Sequence, residues 1–328
     1  MKDPLVSVLI PVFNGEKYLL QALQSIQSQT YSNLEIVIVN DGSTDCSTLI
    51  IDEFLKCDTR ARVIHKSRSG LTESLNAGLA AARGDYIARL DSDDWSEMTR
   101  LEAQVARIRR DSSVVLVGSD FQIFKEDSGD TRSFRLPIEH DVLLGRLRRL
   151  RSFFPHSSVL FHANTAVQVG GYDIEARYNE DWDLWLKLSE HGKVTSVPQN
   201  LVTIRTHPDQ TTRKIDPTLP ITEAFASSVL HHVRIRYAHD ASSVQVKRED
   251  IREYLHTRPE FKKFYELVCS QVHVQEVLMS SQSSLKKVRE LFHMRGILRT
   301  LVRLWIYKTR GTDTPRRVGL AWLGAKHD

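Results

Sequence analysis

The sequence is short of cysteine, of long apolar runs and of net charge, and each shortage excludes a class of protein. Its three cysteines, Cys46, Cys57 and Cys269, are scattered and match no disulfide framework, zinc site or redox motif. No uncharged stretch reaches the roughly 18–20 residues that span a bilayer, and the first residues lack the pattern of a signal peptide. We therefore expect a cytoplasmic protein whose contact with a membrane would be peripheral.

Two common nucleotide-binding motifs are also missing. No GxGxxG follows the first predicted strand, and GxxxxGK[ST] occurs nowhere in the chain. A dinucleotide-binding Rossmann site and a P-loop therefore lose support. The net charge of +4 over 328 residues is too small to suggest nucleic-acid binding. With 41% hydrophobic and 26% charged residues, the composition is that of an ordinary globular protein.

The positive charge is concentrated near the end of the chain. Residues 286–317 contain ten Lys or Arg against two acids, so the rest of the chain is net acidic. Within 285–317 apolar residues, including Trp305, recur at helical spacing among the basic ones. A basic amphipathic helix favours an anionic membrane surface, although a helix packed on the protein with a solvated basic face explains the pattern almost equally well. Nucleic acid is the weakest alternative, because no reading motif accompanies the charge.

The first two thirds of the chain contain apolar strands that alternate with amphipathic helices. Strands are predicted at 6–13, 34–39, 62–64 and 86–88, and helices at 16–29, 48–55 and 71–83, the last with Gly84 as its C-cap. This alternation predicts an α/β fold, with a mostly parallel sheet flanked by helices. Strand signals fade after Pro208. We therefore predict an α/β domain over residues 1–215 and a helical C-terminal region over 216–328.

A first group of acids follows the predicted strands. In "GDYIARLDSDD", residues 84–94, three aspartates come directly after a buried strand, and Asp41 follows an earlier one. Carboxyl ends of parallel strands meet at one edge of a sheet, so these side chains should share a crevice. A D-x-D there suits Mg²⁺ or Mn²⁺ together with substrate phosphates. Equally, Asp93, Asp94 or Ser96 could cap the helix that follows, and the residues alone do not decide between the two.

A second group of acids opens another helix. "YNEDWDLWLKL", residues 178–188, places three acids in the first turn of an amphipathic helix whose apolar face includes Trp185. The helix dipole favours acids at this end, so capping explains them cheaply. The same dipole should keep a carboxylate ionised, as a general base requires.

Three stretches together resemble a known family. "VSVLIPVFNGEKYLLQALQSIQSQTYSNLEIVIVNDGSTD", "GLTESLNAGLAAARGDYIARLDSDD" and "GGYDIEARYNEDWDLWLKL" are similar, in order and spacing, to the successive motifs of the family-2 glycosyltransferases, which are inverting enzymes with the GT-A fold. The resemblance runs from about Val6 to His207. It implies a GT-A catalytic domain with a nucleotide-binding half at about 1–112 and an acceptor half at about 113–215.

The resemblance also implies an activity. A sugar would move from a nucleotide-sugar donor, most simply a UDP-sugar, to a hydroxyl of a glycan or lipid-linked acceptor. Mn²⁺ or Mg²⁺ would be the cofactor. The product would belong to bacterial lipopolysaccharide, capsule or another surface polysaccharide.

Roles of single residues follow from the resemblance in the same way. The donor nucleotide is expected to contact Pro11, Phe13, Asn14, Asp41, Lys66, Asn76, Asp91 and Ser92. The metal is expected at Asp91 and Asp93, and His207 is either its third ligand or an ordinary loop residue. Asp181 is the expected general base, and the neighbourhood of the donor sugar and acceptor includes His156, Gly171, Glu180 and Trp182. Leu75 stands where many family members carry arginine, so Lys66 or Arg89 is considered as the nucleotide contact instead.

Other functions fit the sequence less well. Phosphatases that use D-x-D carry it on the first strand, which here ends "PVFNG", and the Gly-rich loop of sugar nucleotidyltransferases is absent. For His156 a plain buried histidine remains equally open, and for Asp41 an Asx-turn in its own Gly-Ser loop. The remaining alternative is a catalytically inactive nucleotide-sugar-binding or membrane-associated scaffold, against which the full set of acidic residues argues.

Overall fold

A computed structural model of the chain describes residues 3–147, 154–174, 176 and 179–210. The boundary predicted near 215, the helical region predicted at 216–328 and the basic segment 285–317 lie outside these residues. The predicted α/β domain is described over most of its length, so its sheet and its crevice can be followed residue by residue.

One nine-stranded sheet forms the centre of the described chain. Its strands are β1 (Val6–Val12), β2 (Leu34–Asp41), β3 (Ala61–Lys66), β4 (Tyr86–Arg89), β5 (Trp95–Ser96), β6 (Val114–Lys125), β7 (Thr131–Phe134), β8 (Leu160–His162) and β9 (Lys193–Thr206). They lie in the order β3-β2-β1-β4-β8-β6-β9-β5, with β7 paired to β6.

Seven α-helices connect these strands. They are α1 (Leu19–Gln27), α2 (Ser47–Cys57), α3 (Leu71–Ala81), α4 (Arg100–Arg109), α5 (His140–Leu147), α6 (Ala163–Gln168) and α7 (Glu180–Ser189), and a 3-10 turn spans His156–Ser158. The α/β prediction is therefore confirmed.

The sheet is parallel in its first half and mixed in its second. Strands β3, β2, β1 and β4 run parallel to one another, as the alternation of strands and helices predicts. Strand β8 is antiparallel to both β4 and β6, while β6 and β9 pair in parallel with local irregularities in register. The all-buried residues of β1 and β2 are typical of parallel strands covered on both faces.

The two faces of the sheet bury separate hydrophobic cores. Side chains of β1 alternate between them, since Val8 and Ile10 belong to one core and Leu9 to the other. Helices α1, α2 and α4 pack into the first core, and α3, α5 and α7 into the second. Strands β1 and β2 therefore contribute side chains to both cores.

Two details of the helix ends differ from the prediction. Helix α3 ends at Ala81 and Ala82 is extended, so Gly84 is not its C-cap. The N–H of Gly84 instead donates to Ser7 Oγ at 2.8 Å, and a Cβ at this position would lie 2.6 Å from the Ser7 nitrogen. Glycine is therefore needed there for close backbone approach rather than for a turn.

Capping does not explain the acids after β4. Helix α4 begins at Arg100, beyond Thr99. Ser96 lies in β5, and Asp93 and Asp94 precede that strand. The capping interpretation of these three residues is therefore wrong, because a strand separates them from the helix.

Candidate active site

The acids predicted to share a crevice lie at one edge of the sheet. Asp41 is the last residue of β2, and Asp91 lies two residues beyond the end of β4, with β1 between these strands. Pro11 is buried within β1 beside Val39 of β2. Phe13 and Asn14 follow β1 directly, so they project beyond the same edge.

Asp41 is bound by the segment that follows β3. Its Oδ1 accepts from the N–H and the hydroxyl of Ser69, at 2.9 and 2.8 Å, and its Oδ2 accepts from Gly70 N–H at 2.9 Å. Arg68 completes the set with an ion pair to Oδ2. Burial acts to raise the pKa of Asp41, but the bonds from Gly70, Ser69 and Arg68 outweigh it and hold the pKa below its usual value. The Asx-turn interpretation is thus wrong, since the partners lie outside Asp41's own loop.

The same segment meets the residues after β1. The Arg68 guanidinium lies 3.5 Å from the centre of the exposed Phe13 ring. Asn14, in the left-handed region at φ 50°, accepts Thr44 N–H at 2.8 Å through its side chain. Lys66 ends β3 and donates to Ser69 Oγ at 2.8 Å. These contacts place a partly exposed aromatic ring, with Arg68 over it, beside an ionised carboxylate.

The carboxylates after β4 form a compact cluster. Asp91, Asp93 and Asp94 each offer an oxygen, and these oxygens lie within 4.8 Å of one another. Ser157 is fully buried beneath them, with its Oγ 2.9 Å from Asp91 Oδ2 and 2.5 Å from Asp94 Oδ2. Ser92 lies between Asp91 and Asp93 in the chain, close to Gly15. Hard carboxylate oxygens in this number suit Mn²⁺ or Mg²⁺.

His207, the residue directly after β9, joins this cluster. Its Nε2 lies 3.0 Å from Asp93 Oδ2, its ring packs 4.7 Å from that of Tyr18, and its buried Nδ1 has no hydrogen-bond partner. Burial and the Asp91 charge raise the pKa of Asp93, and His207 opposes the rise. Burial, Asp91 and Asp93 hold the pKa of Asp94 well above its usual value. The raised pKa values mean that the three carboxyls do not all ionise readily, and a bound cation would favour their ionised form.

Arg205 anchors the cluster, although no motif in the sequence predicts this role. Its backbone N–H donates to Asp94 Oδ1 at 2.9 Å, and its Nε donates to the carbonyl of Asp93 at 3.1 Å. The guanidinium lies over the rings of Tyr18 and Trp95, 4.4 and 4.8 Å from their centres. Its position near the end of β9, two residues before His207, is the signal that could have found it, because residues i and i+2 of an extended segment share a face.

Arg89 lies beneath the cluster, fully buried. Its Nη2 is 2.5 Å from Asp91 Oδ1, while its Nε and Nη1 have no hydrogen-bond partner. A direct nucleotide contact from Arg89 is therefore wrong, because the side chain has no exposed surface.

The second acidic group begins α7. Burial and the neighbouring Asp181 charge raise the pKa of Glu180 to about 7. Burial raises the pKa of Asp181 to about 6, although the Trp182 N–H and the charge of Arg89 oppose the rise. The dipole alone was expected to keep these acids ionised, but burial outweighs it. A carboxylate with a pKa near 6 can accept and release a proton close to neutral pH.

The other acids and aromatics of α7 hold the helix in place. Asp183 forms an ion pair with Lys187 at 2.5 Å one turn further on. Trp182 donates from Nε1 to the carbonyl of Leu147 at 3.0 Å, which ties α7 to α5. Trp182 is therefore a packing residue whose partly exposed ring borders the acids.

A loop before α7 connects it to α3. Asn76 donates to the carbonyl of Tyr172 at 2.8 Å and accepts its N–H at 2.9 Å, so its amide is engaged by backbone rather than directed to a nucleotide. Gly171, at φ 68°, leaves room for Asn76, since a Cβ would lie 2.8 Å from its Oδ1. The Tyr172 hydroxyl lies 2.9 Å from His156 Nε2, and burial, followed by the charge of Arg89, lowers the pKa of His156 well below its usual value. His156 is thus a neutral histidine within the packed wall.

A cleft of about 410 Å³ opens beside this loop, lined by Asn76, Val169, Gly170, Tyr172, Asp173, Ile174 and Lys187.

Among the described residues, no helix is both long enough and apolar enough to cross a membrane.

Comparison with known proteins gives a consistent result. The family model described as "Glycosyl transferase family 2" matches residues 7–171, just over half of the chain. An uncharacterized glycosyltransferase of Haemophilus influenzae is 29% identical over 264 residues, which cover 77% of this chain and 75% of the relative. The putative glycosyltransferase EpsH of Bacillus subtilis is 44% identical over 131 residues, but these cover only 40% of this chain and 38% of EpsH.

Solved structures share the fold. S. aureus TarS 1–349, crystallised in complex with UDP-GlcNAc, has a TM-score of 0.58 at 17% identity, covering 79% of this chain and 72% of TarS. The mannosyltransferase PcManGT from Pyrobaculum calidifontis, in complex with GDP-Man and Mn²⁺, has a TM-score of 0.55 at 15% identity, covering 94% and 85%. At such identities the likeness shows the fold alone, and it confirms the predicted GT-A architecture.

Proposed function

This chain belongs to glycosyl transferase family 2 and is a glycosyltransferase, and from that premise we propose that it is metal-dependent and inverting, with a UDP-sugar as donor. The acceptor is a hydroxyl of a glycan or lipid-linked glycan. The observation that carries the proposal is the pairing of a compact aspartate cluster beside His207 with a separate carboxylate pair whose pKa values lie near neutrality.

The metal site consists of Asp91, Asp93 and His207. Two carboxylates and an imidazole fit Mn²⁺ or Mg²⁺, and the crowding of negative charge after β4 supports a cation there. Asp94 serves the loop instead, because Ser157 and the Arg205 N–H engage its oxygens. When bound, the cation would neutralise the negative charge that grows on the departing diphosphate. PcManGT, which shares the fold, is crystallised with Mn²⁺, and this agrees with the choice of cation but identifies no particular ligand residue.

The nucleotide site consists of Asp41 and the residues after β1. Asp41 is held ionised, so it can accept an N–H from a base such as uracil. The exposed Phe13 offers a face for stacking. Arg68 lies over that ring and pairs with Asp41, so a base must displace the guanidinium or stack outside it. The roles of Lys66, Asn76 and Ser92 are accordingly to shape the site rather than to read the base.

The carboxylate of Asp181 is the general base. It takes the proton of the acceptor hydroxyl as that oxygen bonds to C1 of the sugar. The bond from C1 to the diphosphate breaks on the opposite face, and the diphosphate leaves with the bonding electrons. Base catalysis of this kind contributes a factor of ~10²–10⁴. Glu180 lies beside the base and is suited to hold an acceptor hydroxyl.

The acceptor belongs to a bacterial surface polysaccharide built at the cytoplasmic face of the inner membrane. The support is the basic, amphipathic sequence of residues 285–317, which suits an anionic membrane surface. Residues 1–112 and 113–215 act as the nucleotide-binding and acceptor halves. Nucleic acid is not a partner in this proposal.

Calorimetric titration with UDP, TDP and GDP, each with Mn²⁺ and with EDTA, tests the proposal. Metal-dependent binding of UDP alone is the expected result. A preference for TDP or GDP would overturn the uridine assignment and keep the metal site. No metal-dependent binding of any nucleotide would remove both and favour a catalytically inactive scaffold.

A further inference from the structure

Asn76 lies in the middle of α3, where its residue type is unfavourable. Asparagine is a poor helix former because its amide competes with the backbone for hydrogen bonds. Its neighbours in the helix, Leu75 and Ala77, are better formers. The Asn76 side chain is half-buried, so it is not simply solvated. An asparagine at this position therefore indicates a contact outside the helix.

Both ends of the Asn76 amide are engaged by one residue, 96 positions further along the chain. Its Nδ2 donates to the carbonyl of Tyr172 at 2.8 Å, and its Oδ1 accepts the Tyr172 N–H at 2.9 Å. A primary amide presents a donor and an acceptor side by side, so it bonds a backbone residue as a neighbouring strand would. We call this pair of bonds the Asn76 clamp. It joins the proposed nucleotide-binding half to the proposed acceptor half.

Gly171 makes room for the Asn76 clamp. Its φ of 68° lies in the left-handed region that favours glycine, and a Cβ there would lie 2.8 Å from Asn76 Oδ1. Gly170 has a similar φ of 88°, but apart from its chain neighbours no atom of the described residues lies within 4 Å of a Cβ built on it. Alanine would strain the backbone at either position, but only at 171 would it meet the clamp.

The clamped residue is also anchored through its side chain. Tyr172 is 2% exposed, and its hydroxyl lies 2.9 Å from His156 Nε2, with the two ring centres 5.4 Å apart. Beyond Tyr172 the loop is open, because it borders the cleft of about 410 Å³ and Ile174 is 53% exposed. Hydrogen bonds rather than packing on both sides therefore hold the backbone of this loop in place.

A series of backbone hydrogen bonds leads from the clamped loop to α7. Ala176 N–H donates to the carbonyl of Asp173 at 3.1 Å, and Asn179 N–H donates to that of Ala176 at 3.0 Å. Asp183 N–H then donates to the carbonyl of Asn179 at 3.0 Å, within the first turn of α7. Because the connection consists of hydrogen-bonded turns, a shift of Tyr172 would be transmitted to the start of that helix.

We propose that Asn76 is a positioning residue for the transfer step. Its clamp holds Tyr172 against α3 and thereby fixes the first turn of α7, where Asp181 lies. A general base acts only within hydrogen-bond reach of the proton that it removes, so its rate depends on this placement. The inference rests on the proposed function, because it takes Asp181 as the base. Asn76 itself takes no part in nucleotide binding.

The test compares two variants that break the Asn76 clamp with two that leave it intact. Asn76→Ala removes the amide, and Gly171→Ala places a methyl group against it. Gly170→Ala strains the backbone in a similar way without that clash. Ser74→Ala changes a buried hydroxyl of the same helix that has no hydrogen-bond partner among the described residues. All four are made in the full-length chain.

Three quantities are measured for wild type and each variant. Hydrogen exchange of the Tyr172 N–H reports on the clamp directly, because Asn76 Oδ1 accepts this bond. Calorimetry gives the Kd of UDP with Mn²⁺. Release of UDP from UDP-glucose, UDP-galactose or UDP-GlcNAc, whichever the wild type uses, gives kcat. A general loss of structure would weaken nucleotide binding as well, whereas a positioning role would not.

The two variants that break the clamp should behave alike. In Asn76→Ala and Gly171→Ala the Tyr172 N–H should exchange at least about tenfold faster, because a protecting hydrogen bond is lost. The kcat should fall ~10²-fold, since a small misplacement of a catalytic group has an effect of that size. The Kd of UDP with Mn²⁺ should stay within about twofold, as expected for independent sites. Gly170→Ala and Ser74→Ala should leave all three quantities close to wild type.

Several results would overturn the proposal. Unchanged exchange of the Tyr172 N–H in Asn76→Ala would show that the clamp does not protect it. Faster exchange with unchanged kcat would show that the clamp does not position α7, and an equal loss of UDP binding would place Asn76 on the nucleotide side. The same effects in Gly170→Ala would assign them to backbone strain, and failure of both Asn76→Ala and Gly171→Ala to fold would make the clamp structural.

Failure of the proposed function is distinguished by the wild type. If wild-type protein binds no nucleotide with metal and releases no UDP, the proposed function has failed. The hydrogen exchange of the Tyr172 N–H still decides in that case whether the Asn76 clamp exists.

Discussion

The two acidic groups of the crevice hold similar numbers of carboxylates but counter their charge differently. The group after β4 is surrounded by side chains that bind it, since Arg89 pairs with Asp91, His207 touches Asp93 and Ser157 bonds Asp94. For the pair at the start of α7, burial is the main factor that opposes ionisation of the carboxyls. A backbone N–H and the charge of Arg89 favour their ionisation. The first arrangement suits a metal cation and the second suits a proton.

The size of the electrostatic repulsion explains why one proton does not neutralise the first group. Two unit charges ~4 Å apart at an effective dielectric of ~20 repel by about 4 kcal/mol. Three carboxylates within 4.8 Å of one another contain several such repulsions, and a diphosphate would add more. The second group has one pair to relieve, and a single proton relieves it.

The largest effect is expected from Asp93→Ala, which tests whether the group after β4 binds a metal. It removes a proposed ligand and the partner of His207, so UDP binding with Mn²⁺ should weaken by more than ~100-fold, beyond the loss typical of outer-shell residues. Calorimetry measures the change, with Asp52→Ala on the exposed face of α2 as control. Retained metal-dependent binding would show that the cluster is not a metal site.

Asp181→Asn tests the second acidic group, the carboxylate pair at the start of α7. Transfer should fall by ~10²–10⁴ because the base is lost, while UDP binding with Mn²⁺ should stay within about twofold of wild type, since the two groups act separately. Turnover of a UDP-sugar and calorimetry measure the two quantities. Equal loss of both would make Asp181 a structural residue.

Glu180→Gln should change stability in a pH-dependent manner. The pKa of Glu180 is raised to about 7 from a usual 4.5, so its contribution to stability is present below pH ~4.5 and is lost as the pH rises through ~7. The substitution should therefore raise the free energy of unfolding by about 1–3 kcal/mol at pH 8 and change it little at pH 4. Denaturant unfolding at both pH values measures this, and Asp52→Asn is the exposed control. A gain that is equal at both pH values would contradict the raised pKa.

The smallest effect is expected from His207→Ala. The remaining carboxylates still hold a cation, so Mn²⁺-dependent UDP binding should weaken only about tenfold, or ~1.4 kcal/mol. Tyr18→Phe keeps the ring that packs on His207 but removes the hydroxyl's bond to Glu126 Oε2, at 2.5 Å, and serves as the matched control. Unchanged binding in His207→Ala would assign the metal to carboxylates alone.

The sequence predicted the parts of the site that depend on strand ends. Asp41 and Asp91 could be assigned to one crevice because parallel strands bring their carboxyl ends to one edge. Residues that act across the sheet were not predicted: Ser157 reaches the cluster from the turn before β8, and Arg205 from β9. Local sequence patterns do not predict which turn will pack against which loop. Asn76 was assigned to the nucleotide, yet the structure engages its amide at Tyr172.

The sequence by itself determined the α/β order of elements, the family and the two acidic groups, because periodicity and motif spacing are properties of neighbouring residues. Tertiary structure alone decided how the charges are balanced. Packing removed water around Glu180 and Asp181 and raised their pKa values. It also enclosed Arg89 without an exposed atom. Burial and electrostatic interaction depend on distances across the fold, which only the folded chain defines.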